Sequence, residues 1–198
     1  MAIVQTASPL QRATLSAGAA PRGSERMSET IEMSGRASIT DVEFKTAMRQ
    51  VVSSIAVITA RSGKLRNGLT ATAVCSVTAD PPTMLVCINR NASAEGIIAE
   101  TGSFAINFLA EDQHRIARLF STSKLSPEER FAQGKWVSMT TGSPVLDGAV
   151  ASFDCRVESR VASGTHHIYF GRVLAATSLD HEALLYRDGL FRRLAAIG

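Results

Sequence analysis

The sequence predicts a mainly β fold, an antiparallel barrel with peripheral helices, and three observations carry that prediction. Runs rich in Val, Ile and Thr, bounded by Gly, Pro and Asp, recur along the chain. Most of them are linked by short turns, the connection that antiparallel strands use. Helical spacing occurs before the first strand and in the middle of the chain, not in the steady alternation of a parallel α/β sheet. With 198 residues, 45% of them apolar, the chain is long enough for one well-buried core.

Residues 1–36 are rich in Ala, Ser, Arg and Gly without a steady period, as in Gly18-Ala19-Ala20-Pro21-Arg22-Gly23-Ser24. Such a segment buries too little to order itself, which predicts a disordered tail ahead of a single domain over 37–198. Met27 and Met33 are alternative starts, and Glu25, Glu29 and Glu32 spoil the acid-poor pattern of an organelle transit peptide. Ser38 or Thr40 can cap a helix from Asp41 to about Val51, with Phe44, Ala47, Met48 and Val51 on one face. Three strands follow, over Val52 to Ala60, Leu69 to Thr78 and Thr83 to Asn89.

Ser93 can cap a short helix through Glu100, and Ser103 to Leu109 reads as a fourth strand. Ile116, Leu119 and Phe120 line one face of a helix from Glu111. A second short helix starts at Ser126-Pro127-Glu128-Glu129, where proline at the first helical position and the following acids suit the helix dipole. Two long runs, Ala151 to Ala162 and His166 to Ser178, are joined by Ser163-Gly164-Thr165. A last hairpin takes Leu184 to Tyr186 through Asp188-Gly189 into Leu190 to Arg193.

Composition and missing motifs exclude several classes. Lys and Arg number 21 against 18 Asp and Glu, a net charge of +3, and no run of five or six like charges offers an arm to nucleic acid. No apolar stretch approaches the ~18 residues of a membrane span, and no signal-peptide core is present, so the expectation is a cytoplasmic protein without a membrane partner. Cys75, Cys87 and Cys155 are odd in number and lack Cys-x-x-Cys spacing, which discourages a disulfide framework or a zinc site. His166 and His167 are neighbours on a strand and point to opposite faces, so they do not share a metal; no metal site is expected. Gly-x-Gly-x-x-Gly after a strand, a Walker loop and a Gly-x-Ser-x-Gly elbow are all absent.

The informative stretch runs from Gly68 to Asn89. For two core strands it holds many small and hydroxylated residues, among them Thr70, Ala71, Thr72, Ala73 and Ser76. Small side chains let a flat ring approach the backbone, and hydroxyls and free N–H groups meet ring acceptors. A plain Thr-rich strand pair is the competing reading. Arg90 and Ser93 stand at a strand-to-helix junction, where free N–H groups and the helix dipole favour an anion such as a phosphate.

The ordered series Gly68-Leu69-Thr70-Ala71-Thr72, Ser76-Val77, Asp80-Pro81-Pro82, Cys87-Ile88-Asn89-Arg90 and Gly164-Thr165-His166 resembles the short-chain flavin reductases. These are the small components of two-component flavin-dependent monooxygenases, with the flavin-binding split-barrel fold. The resemblance covers about Asp41 to Leu194. Ala73-Val74-Cys75-Ser76-Val77 and Ser152-Phe153-Asp154-Cys155 are similar to reductases of pyrimidine-ring-opening and of phenol or chlorophenol monooxygenase systems.

The resemblance implies a homodimer that uses FMN or FAD with NADH or NADPH and releases reduced flavin to an oxygenase. By position it implies that Thr70, Ala71, Thr72, Ala73, Ser76 and Val77 hold the ring and ribityl chain. Cys87, Ile88 and Asn89 would flank the chain, and Arg90 with Ser93 would receive phosphate. His166 would lie near the nicotinamide as the catalytic residue, and Tyr186 near the site. Thr165 stands where the family usually has an aspartate, which leaves the histidine's orientation open. Hydride transfer between two stacked rings needs no protein nucleophile, which accounts for the poverty of catalytic motifs. Alternatives on the same barrel are a flavin-binding or storage protein without turnover, and a pyridoxamine-phosphate oxidase-like enzyme.

Overall fold

The computed structural model describes residues 38–197; the expected tail over 1–36 lies outside them. Helix α1 (Asp41–Met48) opens on a capping box: the Thr40 hydroxyl accepts the Glu43 N–H, and the Glu43 carboxylate accepts the Thr40 N–H. The helix ends three residues earlier than its periodicity suggested, and none of its residues is buried. Phe44, Met48 and Val51, expected on one apolar face, all stand at the surface. Periodicity shows that a helix has an apolar side, not what covers it.

The strands are β1 (Ser53–Ser54), β2 (Ala56–Ser62), β3 (Leu65–Ala71), β4 (Val74–Ala79) and β5 (Pro82–Asn89), followed by helix α2 (Glu95–Thr101) and β6 (Ser103–Phe108). A 3-10 turn over Glu111–Gln113 leads into α3 (His114–Ser121), and α4 (Pro127–Arg130) starts on the expected Ser126 cap. Then come β7 (Trp136–Ser138), β8 (Pro144–Leu146), the long β9 (Ala151–Ser163) and β10 (His166–Ser178), and the hairpin β11 (Leu185–Arg187) and β12 (Leu190–Arg192). In that hairpin Asp188 and Gly189 have φ of 51° and 78°, the positive pair of a type I′ turn.

Seven strands form the main sheet in the order β3-β2-β6-β9-β10-β5-β4, every pair antiparallel. The two edges of that sheet belong to one stretch of chain. β3 pairs with β2, and after a break at Thr72-Ala73 the chain continues as β4 and pairs with β5. The single strand expected over Leu69 to Thr78 is therefore two, bent where Val74 N–H bonds Thr72 O at 3.1 Å and Cys87 N–H bonds Ala73 O at 3.0 Å. The bend splits the barrel and leaves the outer edge of β3 unpaired.

β2 is buried on both faces because it feeds two cores. Ala56, Ile58 and Ala60 join Ile88, Ile98, Phe104 and Tyr169 inside the barrel. Ile55, before it, and Val57 join Leu109, Ile116, Phe120, Phe131 and Leu184 under the helices. Alternation by twos along one strand thus ties the barrel to the α3–α4 layer. Phe120, Phe131 and Trp136 pack edge-on or tilted, with ring centroids 4.8–5.4 Å apart. Gly68 makes that layer fit: a Cβ there would stand 2.7 Å from Phe120 Cε1 and 2.8 Å from the Ile58 carbonyl oxygen. Among the described residues no helix is long and apolar enough to cross a membrane.

Candidate functional site

Three adjoining cavities line the free edge of β3 and make one groove. The inner cavity, about 320 Å³, lies among Gly68, Thr70, Ser93, Ser121, Ser123 and Arg130. A middle cavity of about 230 Å³ shares Thr70 and Ser121 with it and adds Ala71, Thr72, Tyr186 and Phe191. An outer cavity of about 550 Å³ shares Thr72 and Tyr186 with the middle one and is walled by Lys45, Met48, Arg49 and Val51 from α1 and the segment after it. Along an edge strand, alternate N–H and C=O groups point away from the neighbouring strand, here toward the groove. Ala71 supplies the small wall that a flat ring can approach.

The inner end is built around Arg130, the last residue of α4, which is only 4% exposed. Its Nη1 donates to Asn67 Oδ1 at 2.7 Å, to the Gly68 carbonyl at 3.3 Å and to Ser93 Oγ at 2.6 Å. Its Nη2 donates to the Thr122 and Ser123 carbonyls at 3.0 and 3.4 Å. Nε is buried without a partner, and among the described residues no carboxylate pairs with the guanidinium. A buried cation held only by neutral acceptors is costly unless an anion joins it. The Ser93 side chain therefore serves Arg130 and is not the helix cap that the sequence suggested; α2 begins at Glu95 after Ala94, with no side-chain cap.

Behind this end lies a polar cluster fixed by Glu95 in the first turn of α2. Its Oε1 lies 2.6 Å from His167 Nδ1, accepts the Tyr169 hydroxyl at 2.7 Å and stands 3.6 Å from Arg160 Nη1. Burial opposes ionisation of Glu95, yet the Tyr169 and His167 hydrogen bonds, with the charges of His167 and Arg160, hold its carboxyl below the usual range. The cluster fastens the turn that carries Ser93 to strand β10. Tyr169 is raised, first by burial.

The sequence-predicted residues fall into two groups. Thr70, Ala71, Thr72, Ser93 and Tyr186 line the groove. The Thr70 hydroxyl donates to the Ala117 carbonyl at 2.7 Å, which leaves its oxygen only an accepting role toward anything else. Ala73 sits at the bend next to them. Ser76, Val77, Cys87, Asn89, Arg90 and His166 line none of the three cavities. Val77 is the extra residue of a bulge in β4, Ile88 is wholly buried in the barrel core, and Arg90 is spent on the Gly164 carbonyl. His166 is paired with Asn89, and its Nδ1 lies 2.9 Å from the Thr165 hydroxyl. Burial pushes the Cys87 thiol up, with Cys75 adding to it, and burial pushes Cys155 up to about 12. No cluster of three or more His, Cys, Asp or Glu that could hold a metal occurs among the described residues.

Sequence reading missed Arg130 and the hydroxyl run Ser121-Thr122-Ser123. Arg130 lies 37 positions from Ser93 and 63 from Asn67, and reads locally as a basic residue ending a short helix. Three consecutive hydroxyl residues directly after an amphipathic helix were the available signal.

Comparison with known proteins gives a consistent result. Residues 48–195 match the family model described as flavin reductase like domain. An FMN reductase (NADH) RutF of Stutzerimonas stutzeri is 44% identical over 145 residues, 73% of this chain and 83% of that protein. The protein of the same name from Serratia proteamaculans is 40% identical over 153 residues, 77% of this chain and 87% of that one. Among solved structures, BorF, the flavin reductase component of a bacterial two-component tryptophan halogenase, superposes with a TM-score of 0.73 at 31% identity, covering 80% of this chain and all of BorF. The Streptomyces globisporus NADH:FAD oxidoreductase SgcE6, in complex with NAD and FAD fragments, gives 0.73 at 28% identity, over 80% of this chain and 98% of SgcE6.

Proposed function

The chain belongs to the flavin reductase-like family, whose members are oxidoreductases working with NADH and FMN or FAD, and we propose that it is the small component that supplies reduced flavin to a separate oxygenase. The observation that carries this reading is Arg130. A buried guanidinium without a counter-carboxylate, next to the Ser93 hydroxyl and the Ser121–Ser123 run, suits a phosphate at one end of a groove whose middle has the small, polar wall that a flat ring needs. The donor set fits a flavin phosphate, and the Stutzerimonas and Serratia relatives are named for FMN.

In this reading the Arg130 charge and the hydroxyls attract the phosphate, Thr70 and Thr72 meet the ribityl chain and ring edge, and Ala71 and Ala73 let the ring lie against the strand. When bound, the flavin supplies the chemistry, accepting hydride from the nicotinamide. The chain's own part is to fix the ring, keep water from its covered face and leave the other face open to the donor.

His166 is assigned to nicotinamide positioning, Ser76 and Val77 to the ring, and Cys87 and Asn89 to the chain, through a homodimer, while Arg90, spent on the Gly164 carbonyl, leaves the phosphate to Arg130. These residues stand outside the groove of their own chain. Val77, Val161 and Leu174, on β4, β9 and β10, leave apolar side chains 48%, 51% and 39% exposed, which supports a second subunit packing over these strands.

Anaerobic mixing of protein and FMN with NADH tests the reading. Flavin bleaching at catalytic rates is the expected result, followed, once O2 is admitted, by reoxidation of the released flavin on an added oxygenase. Tight FMN binding without bleaching would make the protein a flavin carrier instead. Sedimentation of a single monomeric species would sink the shared-site assignment.

A further inference from the structure

The connection between β5 and α2 carries Ser93, and it is pinned on both sides of that residue. Before it, the Arg90 N–H donates to the Thr165 carbonyl at 3.0 Å, and the Asn89 carbonyl and side chain accept the Ala92 and Asn91 N–H groups, each at 2.9 Å. After it, Ala94 is wholly buried in the barrel core, and the Glu95 carboxylate reaches across to β10. No side chain caps α2, so the start of the helix is held by these contacts instead.

The Glu95 contact is a firm one. A single oxygen, Oε1, meets His167 Nδ1 at 2.6 Å and the Tyr169 hydroxyl at 2.7 Å, and the Glu95 and His167 side chains are only 12% and 16% exposed. A carboxylate can only accept, so the proton in the His167 contact sits on Nδ1. His167 stands opposite Ile88 in the sheet, and Ile88 is a core residue just ahead of the connection. The cluster therefore closes the stretch from Ile88 to Glu95 into a loop with both ends resting on β10. Ser93 is at the point of that loop nearest Arg130, whose Nη1 donates to its oxygen at 2.6 Å. A hydroxyl that accepts from a cation keeps its own proton for a second acceptor, and a phosphate beside Arg130 is one. Such a contact weakens steeply once its geometry drifts.

We propose that Glu95 and His167 are positioning residues for the flavin phosphate, clamping the start of α2 to β10 so that the Ser93 hydroxyl stays at Arg130. This rests on the flavin reading of the groove. Neither side chain lines the groove, so both act through Ser93.

The experiment measures FMN and riboflavin Kd values by flavin fluorescence in the full chain and in five variants: His167→Ala, His167→Asn, Glu95→Ala, Ser93→Ala and the double variant His167→Ala with Ser93→Ala. Riboflavin has the ring and ribityl chain without the phosphate. The FMN Kd is expected to rise about 3- to 10-fold in His167→Ala and Glu95→Ala, while the riboflavin Kd stays where it was. His167→Asn, whose amide can still donate to Glu95, recovers most of the FMN affinity. In the Ser93→Ala background His167→Ala adds less than about twofold, the coupling expected when one residue acts through another. An unchanged FMN Kd in His167→Ala overturns the proposal, as do FMN and riboflavin weakened in step, or single effects that multiply in full in the double variant. A His167→Asn that binds FMN no better than His167→Ala overturns it too. Should Glu95→Ala not fold, the His167 variants carry the test alone. Failure of the flavin reading shows separately, as absent FMN binding by the unmodified chain.

Discussion

The two arginines at the ends of the groove differ in almost every respect that matters to binding. Arg130 is buried, fixed by five hydrogen bonds and left with a donor unsatisfied, whereas Arg49 stands at the surface of the segment after a helix that buries nothing. A charge in a low-dielectric wall interacts strongly with a matching anion and hardly responds to salt. An exposed one interacts weakly, through solvent, and lets go quickly. The inner end is thus the one whose charge would grip an anion, and the outer end has no comparable hold.

The largest expected effect breaks the inner end. Arg130→Met should weaken FMN binding by about 10- to 100-fold, as a lost charge-assisted contact does, and fluorescence titration reads it. A loss no greater than that at Arg49 would erase the contrast. Gly68→Ala should destabilise the fold by about 1–3 kcal/mol in urea unfolding, because the new methyl meets Phe120 and a backbone carbonyl that has nowhere to move. Ser93→Ala should cost about 2- to 10-fold in FMN affinity, since one hydroxyl contact at the phosphate end is removed. Raising ionic strength from about 0.05 to 0.5 M should leave the FMN Kd nearly constant, because the Arg130 charge is buried, and a steep salt dependence would contradict its role.

The smallest effect concerns Glu95, behind the inner end. Its carboxyl is held below the usual range, so the stability it adds is present above the ordinary carboxylate pKa and is lost as pH falls through its folded value. The midpoint difference between the unmodified chain and Glu95→Gln should therefore shrink on acidification below about pH 5. A gap that widens there would mean the carboxyl is raised instead.

Much of the architecture was legible because it is local. The two long runs Ala151 to Ala162 and His166 to Ser178 return as β9 and β10, and Asp188-Gly189 turns as its residue types require. The Ser126-Pro127-Glu128-Glu129 signature caps α4 as expected. What stayed hidden is what depends on distant partners. Nothing near Arg130 in sequence says that Asn67 and Ser93 will surround it, and nothing in α1 says that its apolar side will face a cavity. β7 and β8 were missed because three residues each, one beginning at Pro144, leave no period to read.

The bend at Thr72-Ala73 has one more consequence. A single stretch of chain provides the groove wall and, beyond the bend, the strand that pairs with β5. Adding or deleting one residue at the bend would turn every later side chain of β4 to the other face and slide the strand along its neighbour. Ligand site and barrel closure are thus bound to a common count of residues. The segment can change in chemistry but not in length, whereas α1, outside the sheet, is free of that restriction.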